Sequence, residues 1–95
     1  MPKYIIERQL PGASALTPEQ LQEIARKSVA VLTRMGPSIQ WVQTFIATDA
    51  LYCIYIAPNE QAVREHANCG GFPVTRISEV VGVFDPTTAD VPVRA

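Results

Sequence analysis

Only one histidine, His66, and two cysteines, Cys53 and Cys69, occur in the 95 residues. The cysteines do not form a CxxC pair, so the spacing of a structural zinc site or a dithiol redox centre is missing. HExxH, GxSxG and a glycine-rich phosphate loop are absent as well. That argues against a nucleophilic hydrolase and leaves no nucleotide or flavin motif. No basic run exists and the formal net charge is -1, so the electrostatic footprint of a nucleic-acid partner is lacking. The longest apolar run falls well short of the roughly 20 residues that span a bilayer, and no membrane partner is expected. The chain enters a strand pattern at Lys3-Tyr4-Ile5-Ile6-Glu7-Arg8 without the apolar core of a signal peptide. A cytoplasmic protein with free thiols is the expectation.

What the sequence does have is apolar residues, 47% of the total. A chain of this length makes one small domain and buries about 60–65% of its unfolded surface. Apolar surface is then left seeking cover, and a homodimer is expected.

The densest apolar stretch runs over residues 39–58, IQWVQTFIATDALYCIYIAP. Two runs rich in β-branched and aromatic residues, 39–46 and 51–56, flank a polar-tipped link, the pattern of a β-hairpin with a four-residue loop. Before it, residues 3–8 read as a strand. Thr17-Pro18-Glu19-Gln20 then opens a helix, with Thr17 as N-cap, Pro18 at N1 and Gln20 completing a capping box. Leu21, Ile24, Ala25, Ser28, Val29 and Leu32 follow at helical spacing as one stripe, and Gly36-Pro37 stops the helix. After the hairpin, Asn59 caps a second helix with Ala62, Val63, His66 and Ala67 on its inner face. Gly70-Gly71 ends it, and residues 76–84 read as a fourth strand. The order is βαββαβ, the ferredoxin-like split arrangement of an α+β fold. Its four-stranded antiparallel sheet has the usual order 4-1-3-2, with helices on one face. Residues 1–86 form this domain and 87–95 a C-terminal tail. Pairing the open faces of two copies would give a dimeric α+β barrel.

If the strands are regular, one sheet face collects Glu7, Trp41, Gln43, Cys53, Tyr55 and Glu79. Ile6, Val42, Ile54, Ile56 and Val80 then match the helix-packed face. A single bulge would reverse everything beyond it. On this reading Glu7, Trp41, Gln43, Tyr55 and Glu79 line a polar and aromatic ligand pocket on the open face. The two carboxylates beside aromatic rings would have raised pKa values. The bland alternatives stand beside it: the glutamates as interface ion pairs, Trp41 and Tyr55 as packing, and Cys53 as a small buried hydrophobe. His66 reads as a satisfied core residue or a site residue. With Cys69 it forms an i,i+3 pair that, joined by Cys53, is the candidate metal set. A structural zinc site takes four ligands, so this set needs further donors.

Four segments together carry a family resemblance: ERQLPG at 7–12, GPSIQWVQTFI at 36–46, YCIYIAPNEQAVREHANCGGFP at 52–73 and DPTT at 85–88. In these the chain resembles a family of small bacterial ferredoxin-like proteins of unassigned function, often labelled nickel-binding protein. The resemblance covers roughly residues 3–88. It implies a βαββαβ protomer, a dimeric α+β barrel and binding of a divalent metal such as nickel. A single histidine is a thin donor set for nickel, which favours imidazole and other nitrogen ligands as well as thiolate. The expected function is binding of a divalent metal ion or a small ligand in the open-face pocket. The alternative is a cofactor-free monooxygenase- or isomerase-like enzyme acting on a small aromatic substrate. There Trp41 and Tyr55 would hold the ring while His66 or Glu79 moves a proton. A third reading, an interaction platform without a pocket, ranks below both.

Overall fold

The computed structural model describes residues 1–93. Four strands and two main helices follow in the order β1 (Lys3–Gln9), α1 (Pro18–Met35), β2 (Gln40–Ile46), β3 (Ala50–Ile56), α2 (Glu60–Gly70) and β4 (Arg76–Val80). Short 3-10 turns occupy Ala13–Ala15 and Pro86–Asp90. The strands form one antiparallel sheet in the order β2-β3-β1-β4. This is the ferredoxin-like α+β arrangement expected from the element order.

Local chemistry accounts for the element ends. The Gln20 amide donates to Thr17 Oγ1 at 3.2 Å, and the Thr17 amide donates to Gln20 Oε1 at 2.9 Å. Two of the amides that a helix start leaves without partners are thus satisfied, a gain of about 1 kcal/mol for the cap. Gly36, at φ +93°, ends α1 in a conformation that side-chain-bearing residues avoid. Asn59 caps α2 by accepting from the Ala62 amide at 2.9 Å. The hairpin link is three residues, Ala47 to Asp49, one fewer than expected, because Ala50 already belongs to β3. This link also braces the loop after β1: Leu10 donates its amide to the Asp49 carbonyl and Gly12 to Asp49 Oδ1.

Strand β4 is shorter than the sequence pattern implies, ending at Val80 rather than at residue 84. It is an edge strand whose single neighbour is β1, and the pairing reaches Lys3↔Val80 where β1 itself begins. Past that point no ladder partner exists. Val81, Val83 and Phe84 are left exposed. Within the tail, Asp85 caps the 3-10 turn by accepting from the Thr87 amide, so the segment is locally ordered rather than extended.

The faces of the sheet differ from the expected assignment. Strand β1 buries Tyr4, Ile6 and Arg8 beneath the helices, and the register pairs Ile6 with Cys53, Tyr4 with Tyr55 and Tyr4 with Glu79. Directly opposed residues share a face. Cys53, Tyr55 and Glu79 therefore lie on the helix side, and Glu7, opposite Tyr52, lies on the open side. A bulge at Val42 splits β2: Trp41 pairs with Tyr55 while Gln43 pairs with Ile54. Trp41 is turned toward the helices and Gln43 away from them. Ile54, Ile56 and Val80 go to the open face with Ile5, and Val42 is half exposed at the bulge; of the five residues assigned to helix packing, Ile6 alone is there. The ambiguity arose in β3, whose two faces are both apolar, so that only pairing with β1 decides which one the helices cover.

The core between sheet and helices centres on Tyr4, Ile6, Leu51, Cys53, Tyr55 and Val63. Ile6 and Val63 are fully buried, each contributing about 1.5–3 kcal/mol. On α1 the inward residues are Ser28 and Val31, flanked by half-buried Leu21, Ile24, Leu32 and Met35. Val29, expected on this stripe, is 52% exposed because it falls one position off the 28–31–32–35 spacing.

Candidate functional site

Leu21, Ile24 and Ala25 are only half buried because the first half of α1 stands off from the β2–β3 side of the sheet. The gap is a cleft of about 490 Å³, inside the range of small-molecule sites. Its floor is Trp41, Thr44, Leu51, Cys53 and Tyr55 from the sheet. Arg8 from β1 and Phe72 and Pro73 from the loop after α2 close one end.

The polar groups of this region come from four elements. The Trp41 indole donates to Thr44 Oγ1 at 2.9 Å, and Thr44 donates to Cys53 Sγ at 3.2 Å. Trp41 and Thr44 can meet only because the bulge puts residues three apart on the same face. Behind the floor, His66 Nε2 lies 3.1 Å from the Tyr55 hydroxyl and 3.3 Å from Ser28 Oγ. His66 is 0% exposed, its Nδ1 has no partner, and its ring packs against Tyr55 and Phe72 at centroid distances of 5.1 and 5.5 Å. Burial, reinforced by the Arg8 guanidinium, pulls its pKa from 6.5 down to about 4. Burial first, and Cys53 second, raise the Tyr55 hydroxyl above its ordinary value. At neutral pH the pair is therefore an uncharged imidazole facing uncharged hydroxyls.

Arg8 is the outlier. Its side chain is 4% exposed, and one terminal nitrogen donates to the Pro73 carbonyl at 2.6 Å. The guanidinium carbon sits 5.5 Å from the centroid of the Phe72 ring, a cation–π contact. Nη2 is buried without a partner, and Arg8 has no ion-pair partner among the described residues.

Of the residues singled out from the sequence, the structure gathers Trp41, Cys53, Tyr55 and His66 at or just behind the cleft. The others are elsewhere. Glu7 and Gln43 face away from the helices. Glu79 is exposed on the edge strand, 3.4 Å from the Tyr4 hydroxyl. Cys69 is exposed at the end of α2, whereas His66 three residues earlier is fully buried. The expected convergence of His66, Cys69 and Cys53 does not form. Among the described residues no group of three or more His, Cys, Asp or Glu side chains could hold a metal ion. His66 Nε2 and Cys53 Sγ, moreover, already face hydroxyl groups. The donor set of one protomer does not fit nickel. Sequence reasoning passed over Arg8, Ser28, Thr44 and Phe72. A signal existed for the first two: Arg8 alternates with Ile6, and Ser28 sits on the apolar stripe of α1.

Residues 4–80 match the family described as nickel responsive protein SCO4226-like. The chain belongs to this family. Among solved structures, the crystal structure of SCO4226 from Streptomyces coelicolor A3(2) superimposes with a TM-score of 0.72. The match is 20% identical and covers 86% of this chain and 99% of that one, a likeness of fold. No curated protein matches the sequence. This SCO4226-like chain has no helix among its described residues long and apolar enough to cross a membrane.

Proposed function

We propose that this SCO4226-like protein is a small-ligand-binding module whose site is the cleft between α1 and the sheet, not the open sheet face. The observation that carries this reading is a mostly apolar cleft of about 490 Å³ that has in its lining the buried Arg8 side chain, unpaired at Nη2. Apolar walls supply affinity and a few fixed polar groups supply orientation, the usual division of labour in such sites. Filling the space tests it. An Ile24→Phe variant should keep the native circular dichroism spectrum and lose the ligand-induced change in Trp41 emission. Retained binding in that variant would refute this location.

The family's description as nickel responsive favours a second reading, in which the protein takes up nickel. Since one protomer lacks the donor set, uptake would require two copies, with exposed Cys69 as the accessible thiol. Metal retained by a dimer after dialysis of tag-free protein, and lost in Cys69→Ser, is the expected outcome. Nickel retained by a monomer would refute it.

A homodimer through the open sheet face is part of the proposal. Ile5, Val42, Phe45 and Tyr52 are left substantially exposed there. Lys3, Glu7 and Arg76 add both signs of charge to the same face, so a two-fold-related copy can meet opposite charge. Light scattering should give twice the chain mass, and Phe45→Asp should return it to one.

A further inference from the structure

We infer that the ligand of the cleft is an anion, a monocarboxylate with an apolar body, and that the Arg8 guanidinium is the group that receives its head. This rests on the reading of the cleft as a ligand site and goes on to name what the site takes.

The argument begins with charge. An arginine cannot lose its proton inside a protein, so burying it cannot be relieved by neutralisation, as it is for His66. Arg8 is 4% exposed, yet its partners are all neutral: the Pro73 carbonyl, the face of Phe72 and the neighbouring Tyr55 hydroxyl. Its Nη2 stays buried and unpaired at the edge of the cleft. Buried cations in folded proteins are ordinarily paired, because an unpaired one keeps its full desolvation penalty. Here no partner is found among the described residues. Nor could the cleft itself supply one, since none of its lining side chains is an aspartate or glutamate. The one other charged residue in the lining is a second cation, Lys27, whose Nζ stands 5.7 Å from the same Phe72 ring. Two cations sharing one aromatic ring, with no acid in the cleft lining, form a receptor for negative charge.

The rest of the cleft sets the body of the ligand. Leu21, Ile24, Trp41 and Leu51 present apolar surface, which a bare inorganic anion would leave unused. A planar carboxylate matches the guanidinium fork. An amine of equal size would meet Arg8 and Lys27 with like charge.

Trp41, the one tryptophan of the chain, lies in the floor and reports directly on occupancy. The test titrates the full-length protein with isovalerate, octanoate and 3-phenylpropionate, each against its neutral primary amide and its amine. Trp41 emission is the readout. At least one acid should bind roughly tenfold to hundredfold more tightly than its amide, the range expected for a hydrogen-bonded ion pair, and the amines should not bind. Arg8→Met should remove most of the preference for acid over amide. Should that variant fail to fold, the acid–amide ratio in the unaltered protein stands without it, and exposed Lys27→Gln should lower the ratio. Equal affinity for acids and amides would overturn the anion assignment and leave the cleft as a ligand site. No response of the folded, unaltered protein to any of the nine compounds would overturn both.

Discussion

Acid should destabilise this protein through His66 before its carboxylates dominate. In the unfolded chain the imidazole titrates near 6.5, and in the folded protein burial and Arg8 hold it to about 4. Between those values the unfolded state binds the proton and the folded state does not. The stabilising difference is therefore complete above pH 6.5, shrinks as pH falls and is gone below about 4. Taken over the whole interval it amounts to about 3 kcal/mol, of which about 2 kcal/mol is lost by pH 5. Against a typical total of about 5–15 kcal/mol this is a large share. Urea denaturation followed by Trp41 emission, at pH 7.5 and pH 5 and constant ionic strength, measures it. His66→Gln, which keeps a polar group toward Tyr55 and Ser28 but does not titrate, supplies the reference. Carboxylates contribute equally to both proteins, and the difference isolates the imidazole. Curves that fall in parallel would refute the reasoning, as would an NMR titration midpoint for His66 near 6.5.

Three further outcomes follow from the packing. A Cβ at position 70 would overlap the Phe72 ring, so Gly70→Ala should drive that ring from its place beside Arg8 and Lys27; urea unfolding should show a loss of about 1–3 kcal/mol. Thr17→Ala removes the side-chain half of the capping box of α1, the Oγ1 that accepts from the Gln20 amide, with an expected cost of about 1 kcal/mol by thermal or urea unfolding. A thiol reagent should label exposed Cys69 rapidly and reach buried Cys53 only after denaturation.

The architecture was legible because each element announces its own ends. The Thr17–Gln20 box, Gly36-Pro37, the Asn59 cap and the 2-residue alternation of β1 are local signals, and local signals suffice for element order. The site was legible only in part. Trp41, Cys53, Tyr55 and His66 stood out as unusual chemistry, and they do gather in space. Which face they occupy depended on the Ile6↔Cys53 register and on the bulge at Val42, both set by pairing across the sheet. Neither leaves a mark on a strand that is apolar on both sides. Arg8 was hidden differently. An arginine at a strand end reads as solvated, and its burial arises from the loop that lays Pro73 and Phe72 over it.

The polarity of the sheet is partly inverted with respect to what stability alone would favour. Arg8, Thr44 and Tyr55 are directed beneath the helices, where Ser28 and His66 join them, while Ile5, Val42, Phe45 and Tyr52 face outward. Both halves of the inversion are costly to an isolated protomer. Polar groups lose water in the interior, and apolar groups keep water outside. A chain optimised for folding by itself would place an aliphatic residue at position 8, a change that is often neutral or stabilising where a buried charge is replaced. On the proposed function the two costs would be relieved by different additions: an anion in the cleft would offset the first, and a second copy on the open face the second. The two faces of β3 are divided accordingly, with Tyr55 and Cys53 on the helix side and Tyr52 and Ile54 on the other. Because alternate residues of one strand serve the two faces, a dimer closed on the open face would share its backbone with the cleft.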